Sequence, residues 1–350
     1  MKYTLETGDA LTLMRSHDDE SVHSVICSPP YFGLRDYGHD PTEWPDGKMA
    51  CLGQEDTPEE YVQHMVDIFR GIRKILHDEG TVWLNIGDSY YKGKKHPQLK
   101  AGDICLIPHR VALALQADGW IVRQDIVWHK PNAMPESVKD RPTLAHEYIF
   151  MLAKRKGYYY DSWAIKEPWK TTSDFDLKRA MFGHKEYDGK MADAKEEGRK
   201  QEGRFGESKV AGDPRNGRNK RSVWSATRQN YAGAHFAVYP TWLIEPCVKA
   251  GTSERGACPS CGKQWRRVEK SDTDWKPGCA CGEKPIPSVI LDPFSGSATT
   301  GYVALSHGRD YLGFDTQPDY NEIGEDRLSK LVSELKHKAP SLDGFFSGAI

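Results

Sequence analysis

The chain is expected to be an α/β protein built on a mostly parallel sheet with helices on both faces. Short apolar strand candidates alternate with amphipathic helix candidates at both ends of the sequence, and two of those strands run directly into tight loops of proline or small residues. A composition of 38% hydrophobic and 28% charged residues over 350 positions is globular, with room for one large domain and insertions.

The elements follow in order. Ser24-Val25-Ile26-Cys27 is an apolar strand that stops at Ser28-Pro29-Pro30-Tyr31, because prolines cannot continue a central strand. Residues 57–76 predict a helix, with Thr57-Pro58 as the start signal and Tyr61, Met65, Ile68, Phe69 and Ile72 on one face. Gly80 closes that stretch, and 81–86 is the next strand. A helix over 108–117 and strands over 120–128 and 148–153 come next. Between 170 and 221 the chain turns polar, rich in Lys, Arg, Glu, Asp and Gly, with a short helix expected at 174–182. This stretch ends in the basic run Arg215-Asn216-Gly217-Arg218-Asn219-Lys220-Arg221. Two readings stand for it, a solvated linker or a segment that touches phosphates and base edges. Order returns after Ser222, with strands at 288–291 and 309–314 and helices at 299–306 and 318–332.

Charge and cysteine content narrow the function classes. With 48 Lys and Arg against 50 Asp and Glu, the net charge of −2 carries no nucleic-acid signal, so DNA binding has to rest on local residues such as Arg218, Lys220 and Arg221. The N-terminal MKYTLETGDA is no signal segment, and no apolar run reaches the roughly 18 residues of a membrane helix. A cytoplasmic protein with no membrane partner is expected. Of eight cysteines, Cys27, Cys51, Cys105 and Cys247 are scattered and expected as small buried hydrophobes. The others form Cys258-Pro259-Ser260-Cys261 and, after 17 intervening residues, Cys279-Ala280-Cys281. Four thiolates at roughly zinc-ribbon spacing predict a closed, structural Zn2+ site, and free thiols or a disulfide are the alternative. Trp265, Arg266, Arg267 and Lys270 between the pairs are either a phosphate contact or a solvated face.

Two motifs carry the chemistry. Leu291-Asp292-Pro293-Phe294-Ser295-Gly296-Ser297-Ala298-Thr299-Thr300-Gly301 is a strand, a small-residue turn and a helix start, where backbone can approach a ligand and free N–H groups meet a carboxylate or phosphate. The following strand ends in Asp315, placed as the acidic residue that binds ribose hydroxyls in nucleotide-type α/β folds. In the other motif, Ser28 and the Pro29 carbonyl can accept hydrogen bonds from one amino group, Pro30 stiffens the loop, and the Tyr31 ring can stack on a planar base. Taken singly, each motif is also compatible with an ordinary turn.

Together they resemble the amino-group DNA methyltransferases of the β class, in which the catalytic motif precedes the cofactor motif. The resemblance covers nearly everything except the polar middle and the cysteine cluster. Ser28-Pro29-Pro30-Tyr31 is similar to the family's catalytic loop, and Asp292-Pro293-Phe294-Ser295-Gly296-Ser297 to its methionine-binding loop. Gly8-Asp9-Ala10 is similar to the turn at the cofactor adenine, and His235-Phe236-Ala237-Val238-Tyr239-Pro240 to the segment closing over the methionine end. Residues 128–131, 141–142 and 146–148 resemble the family too. Ala298 stands where the family usually has a second glycine, so no positive φ is expected there.

The resemblance implies a Rossmann-like methyltransferase with a mixed, mostly parallel seven-stranded sheet, circularly permuted motif order, a polar insertion and a small zinc ribbon. Residues 1–168 would be the catalytic half, 169–225 a target-recognition insertion, and 226–350 the cofactor half, holding the ribbon at 257–283. It implies S-adenosylmethionine as cofactor, held by Asp9, Ala10, His235, Phe236, Asp292 to Ser297, Thr299, Thr300 and Asp315. The partner is double-stranded DNA, and relatives are often homodimers. A serine in the first motif position is associated mainly with N4 of cytosine and an aspartate with N6 of adenine, so N4-cytosine is expected and N6-adenine is the alternative. A catalytically inactive, zinc-containing nucleic-acid-binding protein is the alternative of another class. Hydrogen bonds from a flipped base's amine to Ser28 and the Pro29 carbonyl would free the nitrogen lone pair from the ring.

Overall fold

In this computed structural model the described residues are 1–36, 38, 40–93, 96–167, 217–227, 239–268, 271 and 273–338. The helix expected at 174–182, and His235 and Phe236, expected to hold the cofactor, lie outside them. The chain divides into two compact units, 1–164 with 221–350, and 165–220.

The larger unit is organised by one sheet. Its strands are β1 (Tyr3–Thr7), β2 (Val22–Cys27), β5 (Leu76–Ile86), β6 (Ile121–His129), β7 (His146–Ala153), β8 (Val223–Ser225), β11 (Val289–Asp292) and β12 (Asp310–Asp315), in the order β1-β12-β11-β2-β5-β7-β6-β8. Pairing is parallel from β1 to β5, antiparallel on both sides of β7, and parallel again between β6 and β8, so β7 alone runs backwards. The expected mixed, mostly parallel sheet is present, with eight strands where seven were expected. The extra strand, β8, is three residues long and pairs at the edge, Trp224 opposite Trp128. Two-residue hairpins, β3 (Thr42–Glu43) with β4 (Met49–Ala50) and β9 (Arg266–Arg267) with β10 (Trp275–Lys276), stand apart from it.

Helices α1 (Ala10–Ser16), α2 (Pro58–Ile75), α3 (Ile107–Ala117), α4 (Thr241–Gly251), α5 (Thr299–Ser306) and α6 (Pro318–Lys338) cover it. In α2 the Thr57 hydroxyl accepts from the Glu60 N–H at 3.2 Å, proline occupies the first turn, and Tyr61, Met65, Ile68, Phe69 and Ile72 are buried as the sequence spacing requires. Gly80, expected to end this stretch, instead lies inside β5. A Cβ there would meet Leu76 Cδ1 at 2.4 Å and the His23 carbonyl at 2.9 Å, so only glycine lets β5 pass β2 at the register shift after Val22. Among the described residues no helix is long and apolar enough to cross a membrane.

The parallel register brings strand ends together. Thr7 lies beside Asp315, Asp292 beside Gly313, Leu291 beside Val25 and Cys27 beside Leu84. The residues that follow β1, β2, β5, β11 and β12 therefore emerge at one edge of the sheet, where open α/β folds bind ligands.

Candidate active site

That edge holds a cavity of about 570 Å³ lined by both sequence motifs, Ser28, Pro29, Pro30 and Tyr31 from one and Asp292 to Ser297 and Thr299 from the other. Asp9, Ala10 and Asp315 also line it. Residues some 260 positions apart in the chain thus share one pocket because β2 and β11 are neighbours.

On the wall formed by the small-residue turn the backbone is tightly held. The Gly8 N–H donates to the Asp315 carbonyl at 2.9 Å, and Asp9 caps α1 by accepting from the Thr12 N–H at 2.9 Å. Asp315 accepts from the N–H groups of Gly296 at 2.8 Å and Gln317 at 2.9 Å, which fastens the small-residue turn to the end of β12. Asp292 is 1% exposed and accepts from the Phe294 N–H at 3.0 Å, the Thr300 hydroxyl at 2.5 Å and the Tyr239 hydroxyl at 3.0 Å. Burial raises its carboxyl to about 6 despite those three donors. Ser297 Oγ is buried with no hydrogen-bond partner among the described residues, and its residue lines the cavity.

Ala298 corrects an expectation. It adopts φ 54, ψ 42, the left-handed region, directly before α5. The turn does need a positive φ where glycine is usual, and this chain accepts the strain, on the order of 1–2 kcal/mol. The site is held from outside by Arg327, which donates to the Ser297 carbonyl at 3.0 Å and the Thr299 hydroxyl at 2.9 Å.

The wall formed by Ser28 to Tyr31 has a polar network that sequence reasoning missed. The Tyr31 hydroxyl donates to Glu147 Oε2 at 2.8 Å, and Ser28 Oγ lies 3.1 Å from the same tyrosine oxygen. Asn85, 3% exposed on β5, donates to Glu147 Oε2 at 3.2 Å and to the Tyr148 carbonyl at 3.1 Å. Lys130, at the end of β6, pairs with Glu147 Oε1 and sits 4.4 Å from the Trp128 ring centroid. The Tyr31 ring packs over Gly87, where a Cβ would come within 2.7 Å of it. Burial first, and then the Glu147 charge, push the Tyr31 phenol well above its ordinary value, so it remains a hydrogen-bond donor. Cys27, next to Ser28, is fully buried, and burial pushes its thiol well up. It is a core residue, not a thiolate nucleophile.

The cysteine cluster lies at the opposite ends of the same strands. The sulfurs of Cys258, Cys261, Cys279 and Cys281 all fall within 4.8 Å of one another. Tetrahedral thiolates on zinc stand about 3.8 Å apart, so the geometry fits such an ion. Arg266 and Arg267, weighed above as a phosphate contact, are committed internally: Arg266 bonds Glu79 at 2.8 Å, and Arg267 bonds Asp161 at 3.0 Å and Glu254 at 3.2 Å. Gln264 accepts from the Ser253 N–H at 2.7 Å and the Ser288 hydroxyl at 2.9 Å. Lys270 is outside the described residues. In the smaller unit, Arg218 bonds Glu167 at 3.2 Å.

Fold and pocket together define an α/β methyltransferase with its two motifs in permuted order. Residues 22–326 match the family model for N6 and N4 enzymes described as DNA methylase. The chain is 36% identical over 345 residues to the type II methyltransferase M.Cfr9I of Citrobacter freundii, covering 93% of this chain and 87% of the relative. It is 34% identical over 342 residues to M.SmaI of Serratia marcescens, covering 92% and 89%. Among solved structures, PvuII DNA methyltransferase (cytosine-N4-specific) superposes with a TM-score of 0.58 at 16% identity, over 96% of this chain and 92% of that one. A Thermus thermophilus chain described as a DNA modification methylase, complexed with S-adenosyl-L-methionine, gives 0.51 at 19% identity, over 95% and 96%. The chain belongs to the N6/N4 DNA methylase family, and its activity is methyl transfer to an amino group of DNA.

Proposed function

We propose that the protein methylates N4 of a cytosine flipped out of double-stranded DNA, with S-adenosylmethionine seated in the cavity at the strand ends. The observation that carries this reading is the shared cavity, with Ser28 to Tyr31 on one wall and Asp292 to Ser297 on another. The residues present suit the cofactor: Asp9 and Asp315 offer carboxylates for adenine and ribose, and the buried Ser297 hydroxyl, without a partner among the described residues, offers a polar atom within the proposed methionine-binding turn. S-adenosylmethionine supplies an electrophilic methyl group on a sulfonium.

The chain's own residues prepare the acceptor. Ser28 and the Pro29 carbonyl accept the two amine hydrogens, which draws the nitrogen lone pair out of conjugation and stabilises the positive charge that develops. The rigid Pro29-Pro30 loop holds these acceptors in place, and Tyr31 supplies a ring for the flipped base. The choice of cytosine rests on serine in the first motif position. Arg218, Lys220 and Arg221 are the proposed DNA contacts in the basic run, Arg218 exchanging its Glu167 partner for a phosphate.

We also infer a structural Zn2+ on Cys258, Cys261, Cys279 and Cys281. Four protein ligands close the shell, which leaves no position for a substrate.

Methylation-sensitive sequencing of DNA incubated with the protein and S-adenosylmethionine tests the reading. N4-methylcytosine at a fixed sequence is expected, N6-methyladenine would transfer the same chemistry to the other base, and unmodified DNA would reject it. Calorimetry is expected to show S-adenosylmethionine binding in the wild type and its loss in Asp292→Ala.

A further inference from the structure

The network behind the catalytic serine has a direction. Glu147 has both oxygens occupied by donors, Oε1 by Lys130 and Oε2 by Asn85 and the Tyr31 hydroxyl. Tyr31 has a single hydroxyl hydrogen and three acceptors in reach, Glu147 Oε2 at 2.8 Å, Ser28 Oγ at 3.1 Å and Asn85 Oδ1 at 3.2 Å. The shortest contact, to an ionised carboxylate, wins, since charge-assisted hydrogen bonds are roughly twice as strong as neutral ones. With that hydrogen committed to Glu147, the 3.1 Å contact between Ser28 and Tyr31 can be bridged only by the hydrogen of Ser28.

We propose that Glu147 and Tyr31 act as positioning residues that set the rotor of the Ser28 hydroxyl, turning its hydrogen away from the substrate so that its lone pairs face the incoming amine. A free serine hydroxyl presents either a hydrogen or a lone pair, and a hydrogen aimed at the amine would compete for the electrons that must attack the methyl group. The chain Ser28 to Tyr31 to Glu147 removes that choice before substrate arrives. It also gives the fourth motif residue a purpose that its ring does not: phenylalanine would stack equally well and leave the serine unoriented. The proposal rests on the assignment of Ser28 as the amine acceptor.

The test is a double-mutant cycle with Tyr31→Phe, Ser28→Ala and the double variant. Single-turnover methyl transfer is measured from radiolabelled S-adenosylmethionine to bulk unmodified genomic DNA, with cofactor affinity measured by calorimetry. Tyr31→Phe is expected to slow transfer by about 10- to 100-fold, with cofactor Kd and the DNA concentration for half-maximal single-turnover rate within about twofold of wild type. The double variant is expected to be no more than about twofold slower than Ser28→Ala, because the tyrosine hydroxyl acts only through the serine. A wild-type rate in Tyr31→Phe, or losses that multiply in the double variant, would overturn the proposal while leaving the methyltransferase reading intact. An undiminished rate in Ser28→Ala would overturn the assignment beneath it, and the proposal with it.

Discussion

The two ends of the central strands use buried polar groups in opposite ways. At the ends where β2, β5 and β11 begin, the cysteine segment's polar side chains are spent on the protein itself: Gln264 on Ser253 and Ser288, Arg266 on Glu79, Arg267 on Asp161 and Glu254. His77 joins in, its Nδ1 accepting from the Glu79 N–H, so that its Nε2 donates to the Cys261 carbonyl at 3.1 Å. At the ends where the same strands finish, Ser297 Oγ has no partner among the described residues, burial raises the Asp292 carboxyl to about 6, and Ala298 carries backbone strain. Position completes the contrast, because Ser21 Oγ and His23 Nε2 at the start of β2 are also buried without partners among the described residues, but Ser297 lines the cavity and they do not.

The difference can be attacked at either end. The largest effect is expected from Cys258→Ser together with Cys261→Ser. Metal analysis should fall from one zinc per chain to none, and unfolding should become easier by on the order of 5 kcal/mol, because metal-binding energy is folding energy. Transfer activity per folded molecule should be kept, and its disappearance in still-folded protein would place the cluster in catalysis. Next comes Arg267→Met, which strips the buried Asp161 of its charge partner and is expected to cost about 3–5 kcal/mol in urea unfolding. Activity at saturating substrate should be unaffected.

At the ligand end the sign reverses. Burial sets the Asp292 carboxyl at about 6 in the folded chain, against roughly 3.9 unfolded. The folded state therefore holds the proton more tightly, and stability falls as pH rises from about 4 to about 6, by on the order of 3 kcal/mol in all. Asp292→Asn should flatten that slope and stabilise the protein at neutral pH while abolishing cofactor binding. An unchanged slope in unfolding curves from about pH 4 to 7 would mean another group is responsible. The smallest effect belongs to Ala298→Gly. Relief of left-handed strain is offset by one lost buried methyl, about 0.8 kcal/mol, and by greater freedom of the unfolded chain, so stability should move by less than about 1 kcal/mol. A large change in either direction would show that the turn is held differently.

Much of this was legible in the sequence because the signals were local. Thr57-Pro58 marks the start of α2, Pro29-Pro30 the end of β2, and Asp292 to Ser297 the turn before α5. Direction was not legible: apolar residues in β7 read the same whether the strand runs forwards or backwards, and β8 is too short to carry a pattern. The Glu147 network stayed hidden because Tyr31 and Glu147 are 116 residues apart, and only the antiparallel pairing of β5 with β7 brings Asn85 and Glu147 to the pocket. Arg266 and Arg267 show the converse, since residues that read as either a phosphate contact or a solvated face are tied to acidic partners far along the chain. Ala298 shows that residue type alone does not report φ.

The smaller unit contains a detail with practical weight. Glu167 and Arg218 exchange both backbone hydrogen bonds at 2.9 Å, and a Cβ on Gly217 would sit 2.4 Å from the Glu167 carbonyl, so glycine permits the approach. The two residues form a clasped neck, and the cost of bringing the ends of the intervening stretch together is met at that neck. Because closure entropy grows only slowly with length, lengthening the stretch between 167 and 218 by a flexible insert is expected to cost little stability, which unfolding curves of such a chain would check.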